Sequence, residues 1–173
     1  MDTRNVLDEF KGKAHEEIVA ELDRRGVVLE IAIENLERDY NMGTIVRSAN
    51  AFGVRTVHVV GRRQWNRRGA MMTDTYLNVV YHRSTDDFMN HMSADKRMVI
   101  AVENNVASEP LAGVALPERC ALVFGSESSG ISEGLRQKAD GIVHIEQLGS
   151  TRSINVGVAA GIAMYVWLGQ HVV

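Results

Sequence analysis

Apolar residues recur at helical spacing along the first stretch of the chain. Val6, Leu7 and Phe10 form one set, and Ala14, Ile18, Val19 and Leu22 continue it, so the pattern predicts an amphipathic helix over residues 5–25, stopped by Gly26. The run VVLEIAI (27–33) then reads as a strand. A second helical pattern covers 41–52, with Ile45, Val46, Ala49 and Phe52 on one side and Gly53 as its C-terminal stop. VRTVHVV (54–60) is β-branched and strand-like, whereas 61–75 has no clear period and reads as a loop. A short strand is expected over 76–81. Ser84 or Thr85, followed by Asp86 and Asp87, signals a helix start for 86–92. RMVIAVE (97–103), CALVFG (120–125) and GIVHIE (141–146) complete the strands, and the loop between the first two holds both prolines. A short helix is expected over 132–139. A last helix follows the polar loop GSTRS (149–153), with Ser153 or Asn155 as its cap.

Strands and helices alternate from residue 27 onward, which predicts an α/β fold: a mostly parallel sheet flanked by helices. The 173 residues suit one domain with a sizeable core, and no repeat or linker divides them. Charge changes the picture only locally. The formal net charge of −3 gives no global sign of a nucleic-acid partner, so any such surface has to be a patch. One candidate exists: GRRQWNRRG packs Arg62, Arg63, Arg67 and Arg68 around Trp65, offering phosphate contacts and a stacking face for an unpaired base. Cys120 is the single cysteine, which excludes an intrachain disulfide and a cysteine-rich metal site, and no metal is expected. The N-terminal residues lack the apolar core of a secretory signal, and the apolar run 156–168 is too short to span a bilayer. A cytoplasmic protein with no membrane association is the expectation.

In open parallel sheets, ligands bind beyond the carboxyl ends of the strands. Three polar, glycine-bearing segments lie at such ends: 35–43, 125–130 and 147–155. In the first, Asn41 stands at a helix-cap position, Gly43 lets the backbone enter the first turn tightly, and Arg47 follows. In the second, GSESSG, Gly125 and Gly130 permit conformations closed to other residues, so successive N–H groups can form a small binding concavity. It is not a P-loop, since no Gly-Lys-Ser/Thr follows, and no G-x-G-x-x-G follows the first strand. Taken singly, each segment reads equally as a capped helix with a surface arginine, or as a loop carrying a solvated carboxylate.

Taken together and in this order, they resemble the three signature motifs of the SpoU (TrmH-like) 2′-O-ribose RNA methyltransferases, in the SPOUT trefoil-knot superfamily. The first motif is matched by Asn41, Gly43, Arg47 and Ser48-Ala49, and the second by Gly125, Glu127 and Gly130. The third is matched by Gly149 and Ser153-Ile154-Asn155-Val156. The resemblance spans 27–169. It departs from the family pattern at Ile145-Glu146-Gln147, where Ile-Pro-Met is usual, at Ile154 (Leu) and at Gly157 (Ser). It implies an N-terminal helical extension (1–26), a methyltransferase domain (27–173) with a C-terminal deep trefoil knot, and no added RNA-binding module.

The resemblance further implies S-adenosylmethionine as cofactor and a ribose 2′-hydroxyl of tRNA or rRNA as acceptor. Segments 122–130 and 145–155 would wrap the cofactor, with Val123, Phe124, Gly125, Glu127, Gly130, Ile145, Gln147, Leu148, Ser153 and Asn155 as its expected contacts. Arg47 is the family's catalytic arginine. A guanidinium is effectively always protonated in proteins, so its expected role is to bind the adjoining phosphate and stabilise the developing 2′-oxyanion. A phosphate oxygen or water would then take the proton. Asn41 and Ser153 would orient Arg47 and the ribose, and Glu127 would brace the loops or take part in the chemistry. RNA would be held by Arg47, Arg62, Arg63, Trp65, Arg67, Arg68 and Arg152. The site is expected to be completed across a homodimer, with Gly157, Ala160, Gly161 and Met164 permitting close approach. The alternative is a non-catalytic knotted RNA-binding or assembly protein. A nucleotide-dependent redox domain is disfavoured by the missing dinucleotide fingerprint.

Overall fold

A computed structural model describes residues 6–35, 41–104, 106–126 and 128–173. Seven strands, β1 (Glu30–Asn35), β2 (Thr56–Gly61), β3 (Asn78–His82), β4 (Met98–Val102), β5 (Glu109–Pro110), β6 (Cys120–Phe124) and β7 (Gly141–His144), form one sheet in the order β3-β2-β1-β6-β4-β7-β5. Every described pairing is parallel. The helices are α1 (His15–Arg25), α2 (Met42–Ala51), α3 (Thr85–Ala94), α4 (Glu133–Arg136) and α5 (Val156–His171).

Strand periodicity sorts the core into two layers. Ile31, Ile33, Val57, Val59, Leu122 and Phe124 share one buried cluster with Ile45, Val46 and Ala49 of α2 and Ala160, Met164 and Trp167 of α5. The alternate positions Ala32, Ala101, Ala121 and Val123 lie in a second cluster with Phe88 and Met92 of α3 and Leu135 of α4. Small residues on that face let α3 and α4 lie close to the sheet.

Beneath α3 lies a polar chain. Arg97 pairs with Glu30 at 3.0 Å, Glu30 Oε2 lies 2.7 Å from His58 Nε2, and His58 Nδ1 lies 2.9 Å from His82 Nε2. His58 and His82 are buried. Burial is the main cause that pushes His82 down to about 4. The neighbouring His58 and His91 lower it further, and Asp87 opposes them.

Several elements differ from the sequence expectation. The N-terminal helix is divided into a 3-10 turn (Asp8–Phe10) and α1, because Gly12 takes φ +82° between them. Phe10 and Ile18 are nonetheless buried, and Arg55 Nε donates to Asp23 of α1 at 2.8 Å. β1 begins at Glu30 rather than residue 27, since Val27 makes only an isolated bridge to Val54. The 61–75 loop contains 3-10 turns at Arg68–Ala70 and Thr73–Tyr76. The helix expected over 132–139 is only the four residues of α4, capped by Ser132. β5 was not anticipated: two residues carry no period.

Candidate active site

The site is built where β4, β6 and β7 release their chains on the same side of the sheet. After β6, the chain turns back on itself and Ser126 and Gly130 form an antiparallel bridge. A Cβ on Gly125 would stand 2.1 Å from the Gly130 carbonyl carbon, so only glycine allows that closure. Gly130 takes φ +66°, and Glu103 from the end of β4 fills the space where its side chain would be. Two carboxylates then fix the exit of the loop. Glu103 Oε2 accepts from Ile131 N–H at 2.8 Å, and the buried Glu34 accepts from both the N–H and the hydroxyl of Ser132 at 2.6 Å.

After β7, the polar loop runs to Asn155, which caps α5: its Oδ1 accepts from Gly157 N–H at 2.9 Å and from Val158 N–H at 3.2 Å. Such a cap contributes about 1 kcal/mol to helix stability. Asn155 Nδ2 donates to Asn41 Oδ1 at 2.8 Å. Asn41 therefore does not cap α2 with its side chain; that oxygen is committed to the last loop. The first and third motifs are thus joined directly. Gly157 reinforces the junction, since a Cβ there would press on Thr44 of α2 at 3.0 Å.

Between these loops lies a cavity of about 790 Å³, within the range that holds cofactor-sized ligands. Of the expected cofactor contacts, Gly125, Gly130, Ile145, Gln147, Ser153 and Asn155 line it, as does Arg152. Val123 and Phe124 do not; both are buried within the sheet. Leu148 is fully exposed and also lies off the cavity wall. Glu127 lies outside the described residues, as does most of the segment leading to Asn41. Arg47 stands exposed on α2, one turn beyond the Gly43–Thr44 contact zone, and does not line the cavity.

Sequence reasoning missed Glu103, Asn104, Arg136 and His144, which also line the cavity. The strand-end rule offered a signal for Glu103 and Asn104; a lone arginine on a four-residue helix gave none. Two atoms on lining residues, Arg136 Nε and Gln147 Oε1, are buried without a hydrogen-bond partner. A donor and an acceptor left in this state fit a pocket whose polar groups are completed by a ligand.

The arginine loop backs onto the start of α2. A Cβ on Gly43 would stand 2.6 Å from Ala70 N and 2.7 Å from Gly69 Cα, so main chain packs on main chain there. Arg62, Arg63, Arg67 and Arg68 are all exposed. Trp65 is placed differently from expectation. It is half-buried against the core, and the Arg67 guanidinium lies 5.5 Å from its ring centre. On α5, the small-residue face expected to meet a second subunit is turned inward: Gly157, Ala160 and Met164 are buried in this chain. Gly161 is partly exposed, with open space beside its Cα, while Val158, Ile162 and Tyr165 face outward. No helix among the described residues is long and apolar enough to cross a membrane.

The fold has relatives among solved structures. Aligned with the Aquifex aeolicus TrmH/SpoU tRNA modifying enzyme, the chain gives a TM-score of 0.78 at 22% identity, covering 90% of this chain and 81% of that one. With the SpoU methyltransferase AviRb from Streptomyces viridochromogenes, crystallised with AdoMet, the TM-score is 0.74 at 21% identity, over 83% and 57% of the two chains. These likenesses concern the fold. In sequence, the chain is 25% identical over 147 residues to the Escherichia coli tRNA (guanosine(18)-2′-O)-methyltransferase, covering 83% of this chain and 64% of the relative. It therefore spans somewhat less than two thirds of that relative's length. It is 28% identical over 188 residues to the 23S rRNA (guanosine-2′-O-)-methyltransferase RlmB of Coxiella burnetii, covering 94% and 73%. The model of the SpoU rRNA methylase family matches residues 28–165. That match takes in all three glycine-bearing loops, α2 and the first part of α5, and the chain belongs to the SpoU rRNA methylase family.

Proposed function

We propose that the protein is an S-adenosylmethionine-dependent RNA methyltransferase that methylates a ribose 2′-hydroxyl in tRNA or rRNA. The observation that carries this reading is the Asn155–Asn41 hydrogen bond, which ties the cavity-lining third loop to the helix bearing Arg47. The relatives named for guanosine 2′-O-methylation of tRNA and 23S rRNA support it.

The cavity's donor set fits the cofactor: main chain of the 125–130 turn, the Gln147 side chain, and Ser153 and Asn155 at the start of α5. When bound, S-adenosylmethionine supplies an electrophilic methyl group on a sulfonium. The rest is positioning by this chain. Asn41 and Asn155 hold the α2 and α5 starts together, which fixes Arg47 relative to the cavity mouth. Arg47 binds the phosphate beside the target ribose and stabilises negative charge on the 2′-oxygen, while a phosphate oxygen or water takes the proton. Ser153 orients the ribose. Residues 27–173 form the methyltransferase domain, with the last helix threaded as a deep trefoil knot, and α1 packs on it as part of an N-terminal extension. Two copies associate through the outward face of α5, and the protein works in the cytoplasm.

The experiment is transfer of labelled methyl from S-adenosylmethionine to unfractionated tRNA and rRNA, followed by digestion to nucleosides. Label is expected in 2′-O-methyl nucleosides. Arg47→Ala is expected to lower transfer by about a hundredfold or more while cofactor binding is retained. An Arg47→Ala protein that transfers methyl at the wild-type rate would remove Arg47 from the chemistry, and a wild-type protein that labels no RNA would favour the non-catalytic RNA-binding alternative.

A further inference from the structure

Outside the cavity, the most unusual backbone among the described residues lies at the tip of the arginine loop. Met71 and Met72 take φ +49° and +66°, two consecutive left-handed residues with neither glycine nor asparagine present. Long apolar side chains seldom occupy that region. Both are also exposed, at 47% and 54%, in a loop whose tryptophan is packed away. The tip is held rather than loose. Thr73 Oγ1 donates to Ala70 O at 2.6 Å, Thr75 Oγ1 donates to Met72 O at 2.8 Å, and a 3-10 turn stands on either side. Ala70, immediately before the tip, is seated on Gly43 in the first turn of α2. The pair is therefore fixed relative to the helix that carries Arg47.

We propose that Met71 and Met72 form an apolar wedge that contacts the bases of the substrate RNA next to the target ribose. The inference rests on the RNA methyltransferase reading and extends it to how the nucleotide is presented. Charge selects the partner: within 61–76 there are four arginines against one aspartate, which suits a polyanion. The arginines are already steadied by the protein's own rings, Arg63 lying 4.8 Å from the Tyr81 ring centre and Arg67 over Trp65. They suit phosphate contacts, while the half-buried Trp65 exposes only part of its ring for a base. The exposed thioethers supply the base contact. Methionine is polarisable and adaptable, and apolar side chains of this kind insert beside bases that have left the stack. Recognition of RNA outside duplexes depends on such splayed nucleotides.

The test is the double variant Met71→Asn, Met72→Asn in the full chain. Asparagine accepts the left-handed region, so the backbone is retained and only the apolar surface is lost. Methyl transfer to unfractionated tRNA and rRNA is expected to fall by at least about tenfold, with S-adenosylhomocysteine binding unchanged and the melting temperature equal or higher. Transfer within about twofold of wild type would overturn the wedge. A second measurement does not depend on catalysis: photo-methionine incorporated throughout the protein, irradiated with the same RNA and mapped by mass spectrometry. Nucleotide adducts are expected on residues 71 and 72 and not on the buried Met42, Met92 and Met164. Adducts to a second copy of the chain, or no RNA adduct at the tip, would overturn the proposal. If the wild type transfers no methyl but the adducts form, the catalytic reading fails and the RNA contact stands.

Discussion

Gly125 and Gly149 both belong to glycine-bearing loops of the site, yet a methyl group would fare oppositely at the two. At Gly125 it would collide with the main chain of Gly130; at Gly149 nothing lies within 4 Å. Gly125→Ala is expected to weaken S-adenosylhomocysteine binding by roughly tenfold or more, about 1.4 kcal/mol, in a titration where Gly149→Ala binds as the wild type does. Equal affinities for the two variants would contradict the closed turn. The sequence displays both glycines alike, because close approach depends on which distant segment arrives opposite. The same limit explains Glu34 and Glu103. Each is a lone carboxylate near a strand end, and its role appears only once Ile131 and Ser132 are brought to it. Asn41, Asn155 and the glycines could be found because their spacing matches a known pattern, but the bond between the two asparagines could not.

At the scale of elements, α5 carries apolar residues on two faces, one buried and one exposed. The inward face, including Ala160, Met164 and Trp167, is buried, and Trp167 Nε1 donates to Pro117 O at 3.1 Å. Val158, Ile162 and Tyr165 recur at i, i+4 and i+7 on the outward face. Replacing Ile162 and Tyr165 together by Asp is expected to convert a dimer to a folded monomer in sedimentation, because neither side chain belongs to the core. A wild-type protein that sediments as a monomer would instead remove the dimer from the reading. A helix apolar all round gives no periodic signal for which face goes inward, so the burial of Gly157, Ala160 and Met164 within this chain could not be read from the sequence. The strands were easier to read, since β-branched runs of five or six residues are hard to mistake. Apolar spacing alone runs the N-terminal helix across Gly12, where the backbone breaks it.

For the whole molecule, the polar chain beneath α3 sets a dependence on acid. His82 is held at about 4, below the ordinary imidazole value of about 6.5, so the unfolded chain binds the proton more readily than the folded one. Stability from this group is complete above about 6.5 and is lost as pH falls towards 4, by about 3 kcal/mol at most. Urea midpoints should therefore decline between pH 7 and pH 4, and His82→Gln should flatten that decline while lowering the midpoint at pH 7. An unchanged slope in the variant would assign the acid limb to other groups. The α/β class, the parallel direction of the strands and the order of elements were readable from alternation alone. The neighbour relations were not: β1 lies between β2 and β6, and periodicity says nothing about which strand will fill that second edge.

The order in which the cavity wall occurs along the chain has a consequence during synthesis. Its parts come from residues 102–106, 125–136 and 144–159, and Asn41 waits for a partner 114 positions later. A ribosome that has made the first four strands has made no part of the pocket beyond the end of β4. On the proposed function, a chain made only as far as β4 lacks most of the wall that would hold the cofactor. The wall is complete only when Asn155 has met Asn41 and α5 is seated, so occupancy of the cavity would report that the chain has closed through α5.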